Sequence, residues 1–440
     1  MNRIYLDNAA TTQVDKEVLK AMEPYFIDVF GNASSLHSFG QEASRAVESA
    51  RGKIAQFLNC SAQEIIFTSG ATEANNLAIL GTVDFSCHAE LVSASNKILK
   101  QVQDDKETSN VILNLFQDQD DKKRKFVMTT RPHIITSAIE HPAVLETCQY
   151  LEKNGVEVDY IKPDNSGIIN LEDIKNKIKN NTKLISIMYA NNEIGTIQPI
   201  EEVGKLIKKV NAKRAGDSSF TKTGSGQAKK IIFHTDAVQA TNYLNMDVKK
   251  LGVDLLSFSG HKIYGPKGIG VLFVKKGIKI KKIQHGGHHE NNLRPGTLNV
   301  PGIVGLAKAV ELIDVRNNIN IENLRNYTLE LIQEKIKNIK LNGSLENRLP
   351  NNLNINIIGV EGEALLLGLD MEGIAVSTGS ACSSNSLKAS HVLSAIGVSQ
   401  EESHGALRIT LGKNNTRAEI EYFVEKLFKL VGRFRNMAPS

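Results

Sequence analysis

Lys262 stands in the stretch Ser257-Phe258-Ser259-Gly260-His261-Lys262-Ile263-Tyr264-Gly265, between apolar runs at 253–258 and 269–274. A lysine is costly to bury as a cation. Burial lowers the pKa of the amine, and a neutral amine is a nucleophile towards carbonyl carbon. Alone, a lysine at the end of a strand is ordinarily solvated. The nucleophile reading therefore needs companions elsewhere in the chain. Asp236 ends an apolar run, 230–236, and Gln239 follows it. His141 opens a helical stretch at Glu140-His141-Pro142, and Arg408 interrupts the apolar run 405–411. Arg408 is either paired within the fold or suited to a carboxylate, which its planar fork matches. Cys382 lies in a small, polar, glycine-containing stretch, 375–386. That setting favours an exposed, nucleophilic thiol over core filler.

An anion site is legible in Ser69-Gly70-Ala71-Thr72, between the apolar run 64–68 and a helical stretch, 74–80. Free N–H groups and the helix dipole point at such a place. The same residues also suit a plain cap, with Thr72 or Ser69 bonding the first turn. Two nucleotide readings fail. Gly260-x4-Gly265 has Pro266 where a P-loop needs lysine, and no Gly-x-Gly-x-x-Gly follows a first strand. His285, His288, His289 and Glu290 invite a metal, but adjacent His288 and His289 cannot both face one ion on a regular element. No metal is expected.

These residues sit at the carboxyl ends of apolar runs that alternate with helical periodicity. Runs at 64–68, 133–137, 183–189, 230–236, 253–258 and 269–274 read as strands; 16–26, 41–58, 304–313, 321–336 and 417–434 read as helices. This predicts an α/β protein with a mostly parallel sheet and its ligand site at the strand carboxyl ends. The length of 440 residues favours two domains. Polar stretches at about 86–131 and 211–230 read as surface insertions. The four cysteines are too sparse for a disulfide framework. A net charge of +5 spread over the whole chain gives no footprint for nucleic acid. No apolar stretch reaches the roughly 18 residues of a membrane span, and the N-terminus has no apolar signal core. A cytoplasmic location is expected.

A lysine, a carboxylate for a ring nitrogen and a phosphate cup are what pyridoxal phosphate requires. At this point the chain resembles the cysteine desulfurases, in the NifS/IscS-like branch of the class-V aminotransferase family. The resemblance rests on Leu6-Asp7-Asn8-Ala9-Ala10-Thr11-Thr12, Thr68-Ser69-Gly70-Ala71-Thr72-Glu73, Glu140-His141, Asn191-Asn192-Glu193-Ile194-Gly195, Thr235-Asp236-Ala237-Val238-Gln239, Ser259-Gly260-His261-Lys262, Arg294-Pro295-Gly296-Thr297 and Ser380-Ala381-Cys382. It implies a pyridoxal-phosphate-dependent transferase of fold type I, with a large domain at 15–317 and a smaller α/β domain joining 1–14 to 318–440. It implies that Lys262 carries the cofactor covalently and acts as base, that Asp236 meets the pyridine nitrogen, and that Gln239 meets the phenolic oxygen. His141 stacks on the ring. Ala71, Thr72, Ser259 and His261 hold the phosphate, joined by Thr297 from a second subunit of a homodimer. Asn192 and Arg408 clamp the substrate carboxylate.

The implied reaction takes L-cysteine to L-alanine and leaves the sulfur on Cys382 as a persulfide. A sulfur-acceptor protein such as an iron–sulfur scaffold, or a tRNA thiolation route, receives it. Cys382 is also the one residue suited to a transient iron–sulfur ligand. The sequence ends at Ser440, soon after Arg435, without the longer tail that housekeeping members use to dock a scaffold. Selenocysteine lyase, another amino-acid lyase or an idle sulfur-handling paralogue are the rival readings. Removal of residues 88–125 is expected to leave cysteine turnover intact; loss of turnover in a protein that still folds would give the insertion a role.

Overall fold

The computed structural model describes residues 3–83, 131–216, 230–378 and 390–437. Cys382, the 86–131 insertion apart from Arg131, and residues 217–229 lie outside them. Strands are β1 (Ile4–Tyr5), β2 (Ile65–Thr68), β3 (His133–Ser137), β4 (Glu157–Ile161), β5 (Thr182–Ser186), β6 (Ile232–Asp236), β7 (Leu255–Ser259), β8 (Gly270–Val274), β9 (Ile339–Leu341), β10 (Asn352–Ile357), β11 (Ile374–Ala375) and β12 (Ala406–Thr410). Among the described residues the largest sheet has seven strands in the order β2-β8-β7-β6-β5-β3-β4. Strands β3 to β7 run parallel, and β8 runs antiparallel to β7 and β2. The mostly parallel sheet is therefore as expected.

Inner strands are buried along their whole length because helices cover both faces. Ile135, Ile185, Phe233, Leu256 and Phe273 pack on one side with the stripe Ala43, Val47, Ala50, Ile54 and Leu58 of helix Ser38–Leu58. Ile134 and Leu184 face helix Pro142–Lys153 through Val144, Cys148 and Leu151. Edge strand β4 is half exposed, and its Glu157 and Asp159 pair with Lys177 and Lys179. Such charges discourage further strand addition. Between the central strands, the His234 ring bonds the Ser186 hydroxyl at 2.8 Å and the Ser257 hydroxyl at 3.0 Å. Burial pushes that imidazole down to about 3, so it is neutral and the chain of bonds needs no counter-charge.

A second, three-stranded antiparallel sheet has the order β12-β10-β9. β1 pairs in parallel with β11, and Asp7 bridges to Thr410. The N-terminal segment therefore runs from the small sheet towards the large one. Two expectations change. The helix read at 16–26 divides into Lys16–Met22 and Pro24–Ile27, because Pro24 has no N–H to continue the first helix and starts the next. The second polar insertion begins later than 211, since helix Ile200–Gly216 continues through its first residues. Asn211 there exchanges bonds of 2.9 Å with the Ile231 backbone, which holds the helix end to the sheet.

Arg51 donates to both carboxylate oxygens of Glu290, at 2.9 and 2.7 Å, and to the Ile65 carbonyl at 2.8 Å. Glu290 also accepts the Phe67 N–H at 2.7 Å. Its φ of 46°, with 56° at Asn291 and 60° at Asn292, places three successive side-chain-bearing residues in the left-handed region, which is disfavoured for them. The buried pair fixes this strained segment, and Thr297 follows it. Glu290→Ala leaves the buried guanidinium only the exposed Glu48 and the Ile65 carbonyl, and is expected to lower unfolding free energy by about 3 kcal/mol in urea titration. A loss below about 1 kcal/mol would show that the pair does not hold the segment.

Candidate active site

β7 ends at Ser259, the chain turns through Gly260–Lys262, and β8 returns at Gly270. A Cβ on Gly260 would meet the Pro266 carbonyl at 2.8 Å, so the tight reversal requires glycine there. Lys262 leaves this turn with its Nζ on the carbonyls of Ala9 and Ala10, the latter at 2.7 Å. Gln239 donates to the same Ala9 carbonyl at 3.1 Å. His261 bonds the Thr11 hydroxyl through Nδ1 at 3.2 Å, and Thr12 donates its N–H to the His261 carbonyl at 2.8 Å. Burial pushes the His261 ring down to about 4, helped by Lys262 and Lys267.

Asp236 closes β6, beside β7. Its Oδ2 accepts the Asn75 amide at 2.6 Å and its Oδ1 the Val238 N–H at 3.0 Å. Asn75 lies on helix Ala71–Thr82, and its Oδ1 is buried without a partner. His141 is the N-cap of helix Pro142–Lys153, with Nδ1 accepting the Ala143 N–H at 3.1 Å. Its pKa is lowered chiefly by burial; Asp236 opposes this, and Lys262 and His391 add to it. A neutral, fixed imidazole results. His141 and Thr72 line one cleft of about 410 Å³, with Asn76, Glu146 and Thr147.

The two readings of the Ser69–Thr72 stretch now separate. Helix Ala71–Thr82 has Gly70 at its N-cap and no side-chain cap bond. Thr68 Oγ1 bonds the Gly70 carbonyl at 2.9 Å, and the Ser69 N–H goes to Glu73 at 2.6 Å. The helix start is left uncapped, as an anion site requires. Ser259 pairs with Gly270, whose missing Cβ leaves room for the Gly70 backbone at 2.6 Å. The β7 end and the helix start therefore approach each other.

Arg408 is buried in β12. It donates to Asp7 at 2.8 Å and to the Asn192 carbonyl at 3.1 Å. The structural pairing is present, yet its Nε is buried with no partner, so a donor remains for a carboxylate. Thr297 is exposed and is not among the residues that converge within one chain. Cys382 lies outside the described residues. Of the histidines read as metal-like, His288 bonds Asn292 at 3.1 Å and His289 bonds Ser34 at 3.1 Å.

Sequence reasoning gave no role to Asn75, Glu140 or Glu193. Glu140 and Glu193 lie inside matched motifs and Asn75 just beyond one, which was the only signal for them. Glu140 accepts the Ser137 hydroxyl at 2.6 Å and the Met188 N–H at 2.8 Å, while its Oε2 has no partner. Burial pushes its carboxyl up to about 8 against those two bonds. Burial likewise raises Glu193 to about 7, against a bond from Ser390 and the charge of Arg408.

A strand-end carboxylate braced by an amide, a fixed neutral imidazole, an amine, an amide donor and an uncapped helix start converge here. This donor set fits the pyridine, ring face, aldehyde, phenolic oxygen and phosphate of pyridoxal phosphate. Fold and site together define a pyridoxal-phosphate-dependent enzyme of fold type I. The aminotransferase class-V family matches residues 4–94, 122–223 and 223–423. A cysteine desulfurase IscS of Dictyoglomus turgidum is 43% identical over 440 residues, covering 99% of this chain and 96% of that protein. One of Methanosarcina thermophila is 43% identical over 439 residues, covering 99% and 94%. A solved NifS-like protein superposes with a TM-score of 0.77 at 36% identity, covering 98% of this chain and all of its own. A structure described as SspA in complex with cysteine gives 0.72 at 33% identity, covering 94% and 100%. The chain belongs to the class-V aminotransferase family, in its NifS/IscS-like cysteine desulfurase branch.

Glu140 generates a pH test. A carboxyl raised from 4.5 in the open chain to about 8 in the fold stabilises the fold below 4.5, and that contribution is lost as pH rises towards 8. Glu140→Gln keeps the neutral shape. It is expected to melt with wild type near pH 5 and above it near pH 8; parallel melting-temperature curves would show that Glu140 is not held protonated.

Proposed function

We propose that this enzyme converts L-cysteine to L-alanine, takes the sulfur on Cys382 as a persulfide, and passes it to an acceptor protein such as an iron–sulfur scaffold. The observation that carries this reading is the group formed by Lys262, Asp236 and His141 beside an uncapped helix start, in a chain of the cysteine desulfurase branch.

Pyridoxal phosphate, when bound, supplies the sink for electrons released at the substrate carbon. Lys262, whose amine lies on the Ala9 and Ala10 carbonyls, would hold it covalently and is the base nearest the α-carbon. Asp236 keeps the ring nitrogen protonated; the Asn75 and Val238 bonds hold that carboxylate in place. Gln239, which donates to the Ala9 carbonyl, would meet the phenolic oxygen, and His141 would meet the ring face. Ala71 and Thr72 at the helix start, with Ser259 and His261, take the phosphate. Asn192 and Arg408 hold the substrate carboxylate, for which the spare Arg408 Nε is suited. The Cys382 thiol bonds to the substrate sulfur, the Cβ–S bond breaks towards carbon, and a proton completes alanine.

Thr297 reaches the phosphate of a second copy. Leu19, Phe26, Ile27, Phe30, Leu36 and Phe39 are all exposed within one short stretch, and burial against a second copy would cover them. The division into 15–317 and 1–14 with 318–440 is supported by β1 pairing with β11 and Asp7 with Thr410. Among the described residues no helix is long and apolar enough to cross a membrane, which accords with a cytoplasmic location.

Lys262→Ala is expected to abolish the visible absorption band of the purified protein. Cys382→Ser is expected to keep that band and lose sulfide release from L-cysteine. A colourless wild type after supply of pyridoxal phosphate, or a fully active Cys382→Ser variant, would overturn the reading.

A further inference from the structure

Cys382 lies in sequence between Thr378 and Ser390. One flank is tied to Arg408 and the other to Glu193, the neighbour of Asn192. On the leading side, Ser377 exchanges two backbone bonds with Arg408, at 3.1 and 2.7 Å. On the returning side, the Ser390 hydroxyl donates to Glu193 Oε2 at 2.5 Å and accepts the N–H groups of Val392 and Leu393 at 3.1 and 3.2 Å. One hydroxyl thus caps helix His391–Ala395 and moors it to Glu193.

Glu193 is itself held from three directions. Its N–H donates to Asn191 Oδ1 at 2.9 Å. Its carbonyl accepts the amides of Asn352 and Asn354, both at 3.1 Å, from β10. Its predecessor, Asn192, offers its carbonyl to Arg408. The moored helix packs through Val392, Leu393 and Ile396 on Ile139, Met188 and Ile194. His391 adds a bond of 3.0 Å to the Glu140 carbonyl. Ile139 and Glu140 lead into His141, and Ile194 follows Glu193.

We propose that Glu193 is a positioning residue for sulfur transfer: through Ser390 it moors helix His391–Ala395, which follows Cys382 in sequence, beside the Asn192–Arg408 clamp. The role rests on the desulfurase reading above. The step it serves breaks the Cβ–S bond of L-cysteine and forms a bond between that sulfur and Cys382 Sγ; the electron pair goes to carbon and a proton completes alanine. A carboxyl group suits the task because its oxygen receives the Ser390 hydroxyl in either protonation state. A glutamine keeps that acceptor, whereas alanine removes it and leaves the Ser390 hydroxyl without its acceptor in a buried place.

The test uses full-length holoenzyme in single turnover with L-cysteine, reading persulfide on Cys382 by intact mass and cysteine binding by the change in the visible band. Glu193→Ala is expected to slow persulfide formation at saturating cysteine about tenfold or more, with cysteine affinity within about twofold of wild type. It should also speed amide exchange at Val392 and Leu393. Glu193→Gln should restore most of the rate and the protection. Ser390→Ala, which leaves the buried acid in place, should reproduce the Glu193→Ala phenotype and covers the case in which that variant does not fold. An unchanged rate in Glu193→Ala overturns the role, as does weakened cysteine binding at an unchanged saturated rate, or a Glu193→Gln variant as slow as alanine. Wild type that forms no persulfide overturns the desulfurase reading itself, and the role with it.

Discussion

The Ala9 carbonyl receives the amine of Lys262 and the amide of Gln239 at once. It belongs to a stretch, Asp7 to Thr12, that is neither helix nor extended sheet and yet lies inside the molecule. Buried backbone groups must find partners, and four partners of this stretch are residues assigned to the proposed site, while Thr410 and Tyr264 hold it structurally. Asp7 takes Arg408, Ala9 takes Lys262 and Gln239, and Ala10 takes Lys262. Thr11 and Thr12 take His261. Thr12 also accepts the N–H of Tyr264, whose φ of 62° needs such support. The stretch thus acts as a template that ties two sheets to Lys262, Gln239, His261 and Arg408.

Legibility in the sequence followed the range of the interactions. The strands around Lys262 and Asp236 declared themselves because a sheet covered on both faces leaves uninterrupted apolar runs. β10 did not, because its Asn352, Asn354 and Asn356 alternate with Leu353, Ile355 and Ile357. Buried asparagines read as a loop until their partners are known; here Asn342 and the Glu193 carbonyl supply them. The site motifs were legible as a family pattern. The bracing of Asp236 by Asn75 was not, because the two are 161 positions apart. Whether the helix start was capped by a side chain or open to an anion could be settled only by geometry.

The buried acids show how the fold separates duties among carboxyl groups. Asp236 has two donors, one on each oxygen, at a strand end. Glu140, two donors on one oxygen and none on the other, is pushed up to about 8 by burial. An empty oxygen in an apolar setting favours the neutral form. Asp236 and Glu140 lie close enough for the charge of the first to help raise the second.

The template stretch has a consequence for the order in which the protein can be made. Asn8 donates to the carbonyl of Thr410, 402 positions later, and the Ala9 N–H goes to the hydroxyl of the same residue, 401 positions later. Synthesis delivers the first partner at the start and the second near the end, so contacts of this separation close last. The amine of Lys262 has no finished seat while the ribosome is still extending the small sheet. A nascent chain therefore cannot complete the contacts of Asn8 and Ala9 before the strand that carries Arg408 and Thr410 exists.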